Sequence, residues 1–462
     1  MVCDVFYWLK ATLYGKPGMT QPFIEFLHSA DADSIPEEML GLGRKWLLDL
    51  IGVAAGATET AMSRIMRDHV VAHFAPGERK VPILFDGRLA SPGGAALAGG
   101  ITIDALDAHD GHKLTKGHVG CGVLPALLSF TLAEQLKDDR AFLASLVVGY
   151  EIGTRAGIAL HRTASDYHTS GAWIAIAAAA LGARSMGMDS AKTREAIGIA
   201  EYHGPRSQMM RVIDQPTMVK DGSGWGAMAG VSAAYLAVEG FTGAPAVTVE
   251  GEDVADLWDD LGDKWRIAEQ YYKHYPICRW AQPPVQAVLD LRDAYKVTSE
   301  DVEKIEITTF HNSKRLAKSA PLTTEEAQYS TAYPTAVAMV RGRVDPDDVM
   351  EKSFTDPEIK RLAAGMSVVE SDSYNAAFPA NRISSVTLIL KNGETLTSGD
   401  TEALGDPENP VTQEEVSAKF HAYARAKLGG ERTDALEKAV GSLGDGSGLG
   451  AFQDLIFAPV LG

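Results

Sequence analysis

Apolar positions recur at helical spacing through the first half of the chain. Pro36 and Glu37 are helix-start signals. Five apolar residues follow them, three or four positions apart: Met39, Leu42, Trp46, Leu50 and Val53. This spacing places them on one face of a helix. Residues 123–200 are rich in Ala, Leu and Gly and have few strand signals, as closely packed helices do. The pattern therefore predicts a buried helical bundle.

Strand-like alternation begins only after about residue 271. Residues 302–310 and 384–391 alternate apolar with polar positions, and an Asn-Gly turn follows the second segment. Residues 412–428 are again helical in pattern, with Thr412 and two acids as N-terminal signals. We therefore predict a mainly α protein. It has a large all-helical domain, formed by residues 21–271 and 401–462, and a smaller α+β lid domain at residues 272–400.

Composition and charge limit the possible partners. The chain has 462 residues, 45% of them apolar and 23% charged, which is typical of a soluble globular enzyme with two cores. A formal net charge of -18 argues against binding to nucleic acid or to an anionic membrane. Three scattered cysteines, no signal-peptide layout and no apolar run long enough for a bilayer predict a cytoplasmic protein. A small anionic substrate would need a local basic pocket.

One stretch, residues 105–122, concentrates ionisable groups between apolar segments. It contains Asp107, His109, Asp110, His112, Lys113, Lys116 and His118. The histidine spacing matches no common zinc motif, so we expect no metal. A solvated loop would explain the lysines but not two carboxylates between apolar flanks. We favour an acid–base site, because imidazoles and carboxylates that share a pocket can have their pKa values pushed apart.

Two other polar segments precede predicted helices. Residues 166–171 contain His168 followed by Thr169 and Ser170, either of which can cap the next helix. A histidine at a helix N-terminus lies where a bound carboxylate is favoured, although a plain capping loop is the alternative. Residues 218–226 contain Lys220 among glycines. Because no strand precedes them and no complete G-x-G-x-x-G is present, close helix packing explains these glycines better than a dinucleotide loop.

Basic residues follow at the predicted domain junction. Lys273, His274 and Arg279 lie in an aromatic, basic segment that we expect to face residues 105–122 across a cleft. With Lys220 they are candidates to bind a di- or tricarboxylate, and ordinary surface cations are the alternative. A proton beside a carboxylate is weakly acidic, so its removal requires cations or amide donors that stabilise the developing negative charge.

The order of these motifs resembles the MmgE/PrpD family, which contains 2-methylcitrate dehydratases, cis-aconitate decarboxylases and an iminodisuccinate epimerase. The resemblance rests on Asp-x-x-Asp-Gly-His at 107–112, Gly-His-x-Gly at 117–120, Val-Leu-Pro at 123–125 and the block 218–230. It starts near residue 21, so residues 1–20 are expected to be an extension. The resemblance implies a helical domain plus an α+β lid, a homodimer, and no metal or organic cofactor. It also implies these pocket residues: Asp107, Asp110, His118, His168, Lys273 and Tyr333.

We therefore expect a cofactor-independent lyase that acts on a small polycarboxylate by proton transfer next to a carboxylate, most simply by a 2-methylcitrate dehydratase-like loss of water. The expected catalytic residues are His118, His168, Asp107, Asp110 and Tyr333, with the two histidines as base and acid in either order. The expected substrate-binding residues are Lys273, Arg279, Lys220, His112 and Lys113.

Two alternatives stay open. An epimerase or isomerase of a dicarboxylate would use the same proton abstraction. A non-catalytic binding protein on this scaffold is suggested by departures from the family pattern. Gly111, Met228 and Cys278 stand where decarboxylase-like members have Thr, Lys and His, and Gln282 replaces a His common in another branch. These departures also weigh against a cis-aconitate decarboxylase.

Overall fold

A computed structural model describes residues 21–461. Cys3 and the predicted extension at residues 1–20 lie outside the described residues. Helices make up 58% of the protein and strands 8%, which confirms the mainly α class. The longer helices are Gln21–Ser29, Glu37–Ala57, Ala61–His73, Pro92–Asp104, Gly120–Ala133, Asp139–Thr163, Gly171–Ser185, Ser190–His203, Ser223–Val238, Gln282–Tyr295, Ala332–Arg341, Pro357–Gly365, Gln413–Leu428, Gly430–Gly441 and Gly450–Phe457.

Short elements connect these helices. The short helices are Met210–Asp214, Val247–Glu250, His311–Lys314, Thr324–Gln328 and Asp372–Ala377. The tighter 3-10 turns are Glu252–Leu257, Arg266–Glu269, Arg279–Ala281, Ser299–Asp301, Pro346–Val349 and Glu351–Ser353. The strands are Val81–Pro82, Leu89–Ala90, Gly111–His112, Gln270–Tyr271, Val302–Thr309, Ser367–Glu370, Ile383–Leu390, Thr395–Thr397 and Thr401–Glu402.

The predicted helical bundle is confirmed. Helices Gly171–Ser185 and Ser223–Val238 pack against each other, and both are apolar around most of their circumference, as buried helices are. Glycines allow the helix Ser223–Val238 to approach its neighbours closely: a Cβ on Gly224 would lie 2.5 Å from the carbonyl oxygen of Leu97 on the helix Pro92–Asp104, and one on Gly226 would collide with the backbone of Gly171. The interpretation of the glycines in 218–226 as packing residues is therefore confirmed for Gly224 and Gly226, whereas Gly222 adopts a left-handed backbone with φ of 63°.

A five-stranded sheet forms where alternation predicted strands. Val302–Thr309 pairs antiparallel with Ile383–Leu390, which also pairs with Thr395–Thr397 and Thr401–Glu402. Every second residue of Ile383–Leu390 is buried, and the strand packs on the helix Gln282–Tyr295. The sequence did not predict Ser367–Glu370, a parallel edge strand, because its four residues are only half-buried or exposed and carry no alternation.

The last long segment returns to the start of the chain. Gln413–Leu428 begins with a capping box between Thr412 and Glu415, as predicted, and packs along Glu37–Ala57. Separately, the strand Gly111–His112 pairs with Gln270–Tyr271, which brings the ionisable stretch to the junction at residue 271. The exact domain boundaries and the lid arrangement remain predictions.

Among residues 21–461, one helix, Asp139–Thr163, is long and apolar enough to cross a membrane by length and composition. Its apolar window is entirely buried inside the protein, between the helices Gly120–Ala133 and Gly171–Ser185.

Candidate active site

The ionisable stretch lies in a buried break between two core helices. Pro92–Asp104 ends just before it and Gly120–Ala133 begins just after it. Asp107 adopts the left-handed conformation, with φ of 52°, a backbone state that non-glycine residues rarely adopt and that often marks functional positions. The carboxylates and imidazoles of residues 105–122 are buried. A solvated loop is therefore the wrong interpretation for these groups, although Leu114 is exposed.

Lys273 and Asp107 form a buried ion pair. The Lys273 Nζ donates to the Asp107 Oδ1 and to the Asp107 main-chain oxygen, both at 2.8 Å. Burial would raise the pKa of Asp107, but the attraction of Lys273 and Lys220 outweighs it and the pKa is lowered. Burial would lower the pKa of Lys273, but Asp107 outweighs it and the pKa is raised. Both groups are therefore charged at neutral pH.

His118 is held with one ring nitrogen directed at a carboxyl group. Its Nδ1 lies 2.5 Å from the main-chain oxygen of Asp110, and its main-chain N donates to the Ser170 Oγ at 2.9 Å. A carbonyl only accepts, so Nδ1 carries a proton. The Nε2 then lies 3.2 Å from the Asp221 Oδ2 and 4.0 Å from the Asp107 Oδ1. Ser170 stands at the N-cap position of its helix, as one of the two predicted candidates, but among the described residues its side chain makes no capping hydrogen bond and contacts His118 instead.

The environments of His118 and Asp221 push their pKa values in opposite directions. Burial, and then the positive charge of Lys273, lowers the pKa of His118 well below its usual value. Burial, and then repulsion from Asp104 and Asp107, raises the pKa of Asp221 to about 8. At neutral pH the imidazole is therefore neutral and the carboxyl group protonated, so Asp221 can donate its proton towards Nε2.

Sequence reasoning missed Asp221 and Asp104. Asp221 directly follows Lys220 in the glycine block, and its position beside a candidate cation was the available signal. Asp104 is the last residue of a long apolar helix, where a buried acid calls for a partner. Its Oδ2 accepts from the Ser223 hydroxyl at 3.0 Å, and its Oδ1 lies 3.5 Å from the His109 Nε2.

Lys220 belongs to the same cluster. Its Nζ lies 3.9 Å from the Asp104 Oδ1 and donates to the Gln328 Oε1 at 2.7 Å. It also lies 5.4 Å from the centre of the Tyr329 ring. A cavity of about 750 Å³ reaches Lys220 from outside, a size that suits a small ligand. Its other lining residues include Thr169, Ser207, Gln208, Arg211 and Trp225.

Three side chains of the cluster have a spacing that could hold a metal ion. One ligand atom from each of Asp104, Asp107 and His109 lies within 4.8 Å of the others. However, the ammonium groups of Lys220 and Lys273 approach the same two carboxylates and supply positive charge there. The expectation that no metal is needed stays a prediction.

Three of the expected catalytic residues, Asp110, His168 and Tyr333, make contacts outside the His118–Asp221 pair. The Asp110 carboxyl lies beside the Tyr150 hydroxyl, burial raises its pKa to about 6, and it is the main-chain oxygen that contacts His118. The main-chain N of His168 donates to the His161 Nε2, while the His168 Nδ1 is buried and has no hydrogen-bond partner within residues 21–461. Tyr333 donates its hydroxyl to the Asp348 main-chain oxygen at 2.8 Å.

Tyr329, four residues before Tyr333, lies near the cluster, since its ring centre is 5.4 Å from the Lys220 Nζ. It is buried, and its pKa is raised well above the usual value by burial and then by Asp107 and Asp221. The ring therefore lies within electrostatic reach of both carboxyl groups. The two tyrosines belong to one motif but to different elements. Tyr329 directly follows the helix Thr324–Gln328, whereas Tyr333 lies in the helix Ala332–Arg341.

Three expected substrate-binding residues already have protein partners. Arg279 donates to the main-chain oxygens of Tyr272, Ala403 and Leu404 and pairs with Asp406. The His112 Nε2 lies 3.0 Å from a Glu269 carboxylate oxygen. Lys113 pairs with Asp406 at 3.1 Å and Glu408 at 3.0 Å. The cations that the structure brings to the cluster are Lys273 and Lys220.

Lys419 binds the backbone on either side of the Asp107–Lys273 pair. Its Nζ donates to the Asp49 Oδ1 at 2.8 Å and to the main-chain oxygens of Ala108 at 2.6 Å and Lys273 at 2.8 Å. All three ammonium protons are therefore used. Because Ala108 follows Asp107, one lysine from the C-terminal region holds the backbone on both sides of the Asp107–Lys273 pair.

Known proteins are similar to this chain over most of its length. A family model described as the MmgE/PrpD N-terminal domain matches residues 21–259, and one described as the MmgE/PrpD C-terminal domain matches residues 275–444. The human protein named cis-aconitate decarboxylase is 23% identical over 454 residues, covering 92% of each chain. A protein of Aspergillus oryzae, named cis-aconitate decarboxylase-like protein oryM, is 23% identical over 457 residues, covering 88% of this chain and 91% of its own. Since the two domain models together span most of its length, the chain belongs to the MmgE/PrpD family.

Proposed function

We propose that this protein is a lyase that acts on a small polycarboxylate by moving a proton at the carbon next to a carboxylate, with no metal or organic cofactor. The observation that carries the proposal is the contact of the His118 Nε2 with the Asp221 Oδ2, 3.2 Å apart, beside the Asp107–Lys273 pair. The opposite pKa shifts of the two groups support their roles as proton acceptor and proton donor. The family and the names of its relatives support a lyase-type enzyme.

Loss of water uses each of these groups once. A substrate carboxylate binds near the Lys220 and Lys273 ammonium groups, which stabilise the enediolate-like charge that forms when the carbon proton leaves. The His118 Nε2 accepts that proton, and Asp221 donates its own proton to the departing hydroxide, so that water is released. The imidazolium then returns a proton to Asp221, which restores both groups.

Decarboxylation is the second candidate, because the human relative, which aligns with 92% of this chain, is named cis-aconitate decarboxylase. In that reaction a carboxylate leaves as carbon dioxide, and the electron pair remains on carbon. The same lysines would stabilise the negative charge, and the His118–Asp221 pair would supply the proton to carbon. The departures at Gly111, Met228, Cys278 and Gln282 keep water loss as our first choice.

One incubation separates these reactions. The protein is incubated in deuterated water with 2-methylcitrate, citrate and cis-aconitate, followed by NMR and mass spectrometry. We expect deuterium incorporation next to a carboxylate, accompanied by loss of water; loss of carbon dioxide would select the second candidate, and inversion without loss would indicate an epimerase. Binding with no exchange by any compound would contradict the proposal and favour a binding protein.

A further inference from the structure

We propose that Arg382 and Lys116 form a second carboxylate site beside the cluster around His118, and that it binds the substrate carboxylate remote from the reacting carbon. This inference rests on the proposed function, since it assumes a substrate with several carboxylates. Neither residue was among those that the sequence singled out as binding residues.

Arg382 is a buried guanidinium without a carboxylate partner among the residues that the structure describes. Its exposed fraction is 4%, and within residues 21–461 its Nε and Nη1 have no hydrogen-bond partner. Its Nη2 reaches only the Lys113 main-chain oxygen, at 3.5 Å, the outer limit of a hydrogen bond. Among residues 21–461, no carboxylate oxygen lies within 4.0 Å of the guanidinium. A buried ion without a counter-charge is costly, so an anion from outside would complete the site.

Arg279 provides an internal comparison. Both guanidinium groups lie over the Tyr271 ring, Arg279 at 4.5 Å and Arg382 at 5.5 Å from its centre. Both terminal nitrogens of Arg279 are paired, Nη1 with main-chain oxygens and Nη2 with a main-chain oxygen and Asp406, and within residues 21–461 only its Nε has no partner. Arg382, on the same ring, keeps two donor nitrogens free. A fork of free N–H donors is the geometry that binds a carboxylate with two parallel hydrogen bonds.

Lys116 adds a second positive charge. Its ammonium group lies 4.9 Å from the centre of the Tyr167 ring, and its main-chain oxygen accepts from the Tyr167 hydroxyl. In the part of the chain that the structure describes, Lys116 has no carboxylate oxygen within 4.0 Å either. Burial, and then the charge of Arg382, lowers the pKa of Lys116. The two residues also meet at one atom, because the Lys113 main-chain oxygen accepts from the Lys116 main-chain N at 3.3 Å and lies 3.5 Å from the Arg382 Nη2.

Tyr167 contacts one member of the proposed site, because its hydroxyl donates to the Lys116 main-chain oxygen. Tyr167 has its pKa raised well above the usual value by burial and by Asp221, while Arg382 acts in the opposite direction. Tyr167 therefore lies within electrostatic reach of the cluster on one side and of Arg382 on the other. Lys116 is two residues from His118, and the unpartnered His168 Nδ1 follows Tyr167. A polycarboxylate could place one carboxylate at Lys273 and Lys220 and another at Arg382 and Lys116.

Isothermal titration calorimetry with two probes tests this site. The probes are tricarballylate and its terminal monoamide, in which a neutral carboxamide of similar size replaces one carboxylate. The wild-type protein should bind tricarballylate at least about 30-fold more tightly, since losing one partner of a buried charge pair typically costs that much or more. Arg382→Met should bind the two probes within about threefold, and Lys116→Met should reduce the preference about tenfold.

The control is Arg343→Gln, an exposed arginine that pairs with Asp345, and it should leave the preference unchanged. The ligand-free Arg382→Met protein should melt no lower than the wild type, because an uncompensated buried charge has been removed. Equal weakening of both probes together with a lower Tm would show a structural role and overturn the proposal. If Arg382→Met does not fold, an unchanged preference in Lys116→Met would overturn it.

The same experiment distinguishes this inference from the proposed function. A wild-type protein that discriminates between the probes but never incorporates deuterium would refute the lyase proposal and keep the carboxylate site. Deuterium exchange with no discrimination between the probes would refute the carboxylate site and keep the lyase proposal. A wild-type protein that binds neither probe would overturn the carboxylate site.

Discussion

The Nε2 of His118 lies 3.2 Å from the Asp221 Oδ2, and the two residues are 103 positions apart in the chain, as the numbers 221 and 118 show. The contact depends on the opposite ring nitrogen, which is fixed by the main-chain oxygen of Asp110 at 2.5 Å. Burial keeps His118 neutral and Asp221 protonated, so a base and an acid face each other in one closed cluster.

His118→Gln should remove the proton acceptor while keeping a side chain that can still donate to the Asp110 oxygen. We expect kcat to fall by at least about 100-fold with little change in substrate binding or in Tm. Steady-state kinetics and calorimetric binding measure this. The control is His203→Gln, an exposed histidine at the end of its helix. Near-normal turnover would exclude His118 as the proton carrier, and unfolding would mark it as a structural histidine.

Asp221→Asn should change the pH dependence of stability. Burial raises the pKa of Asp221 to about 8 in the folded protein, whereas an aspartate in the unfolded chain titrates near ~3.9. The folded state therefore holds this proton more tightly, so its contribution is fully present below about pH 4 and is lost as the pH rises through about 8. In urea titrations from pH 5 to 9, the wild type should lose stability more steeply than Asp221→Asn. Identical slopes would contradict the assigned protonation.

Lys419→Met should destabilise the protein and disturb the site. It leaves Asp49 buried without its partner and frees the main-chain oxygens of Ala108 and Lys273. We expect the free energy of unfolding to fall by about 3 kcal/mol or more. Adding Asp49→Leu should restore part of that loss, because both charges are then gone. Urea denaturation of the single and double variants measures this, and a double variant less stable than Lys419→Met would contradict the ion-pair explanation.

Gly224→Ala should destabilise the helix packing beside the site. The new Cβ would lie 2.5 Å from the Leu97 main-chain oxygen and 2.9 Å from the Ile101 main-chain N, and neither backbone atom can move easily. We expect a loss of about 1–3 kcal/mol, as for other overpacked cores. Gly41→Ala is the matched control, since a Cβ there has nothing within 4 Å, and it should be neutral or stabilising by up to about 1 kcal/mol. Equal Tm values for the two variants would contradict the packing argument.

Chelation should leave activity intact. Asp104, Asp107 and His109 could geometrically approach one cation, but Lys220 and Lys273 already bring positive charge to these carboxylates. Activity after dialysis against EDTA, with metal content measured by mass spectrometry, tests this. Activity that disappears and returns with one divalent ion would overturn it.

Local sequence patterns determined the helical bundle of the first half, the two long strands, the helix that follows Thr412 and the position of the ionisable stretch. The spacing from Met39 to Val53 and the capping box at Thr412 act within one or two helical turns, so they can be read without knowing the fold. Apolar segments on both sides of residues 105–122 likewise predicted that these groups are held at a break between buried helices.

Only the tertiary structure decided which charged group meets which. Asp107 pairs with Lys273, 166 residues away, and Arg279 is occupied by Asp406 while Arg382 keeps free donors. Tyr329 rather than Tyr333 reaches the cluster. Periodicity states which face of an element is buried but not what covers that face, and the free energy of an ion pair depends on distance and burial in the folded chain. Partners that lie far apart in sequence are therefore set by the packing of the helices.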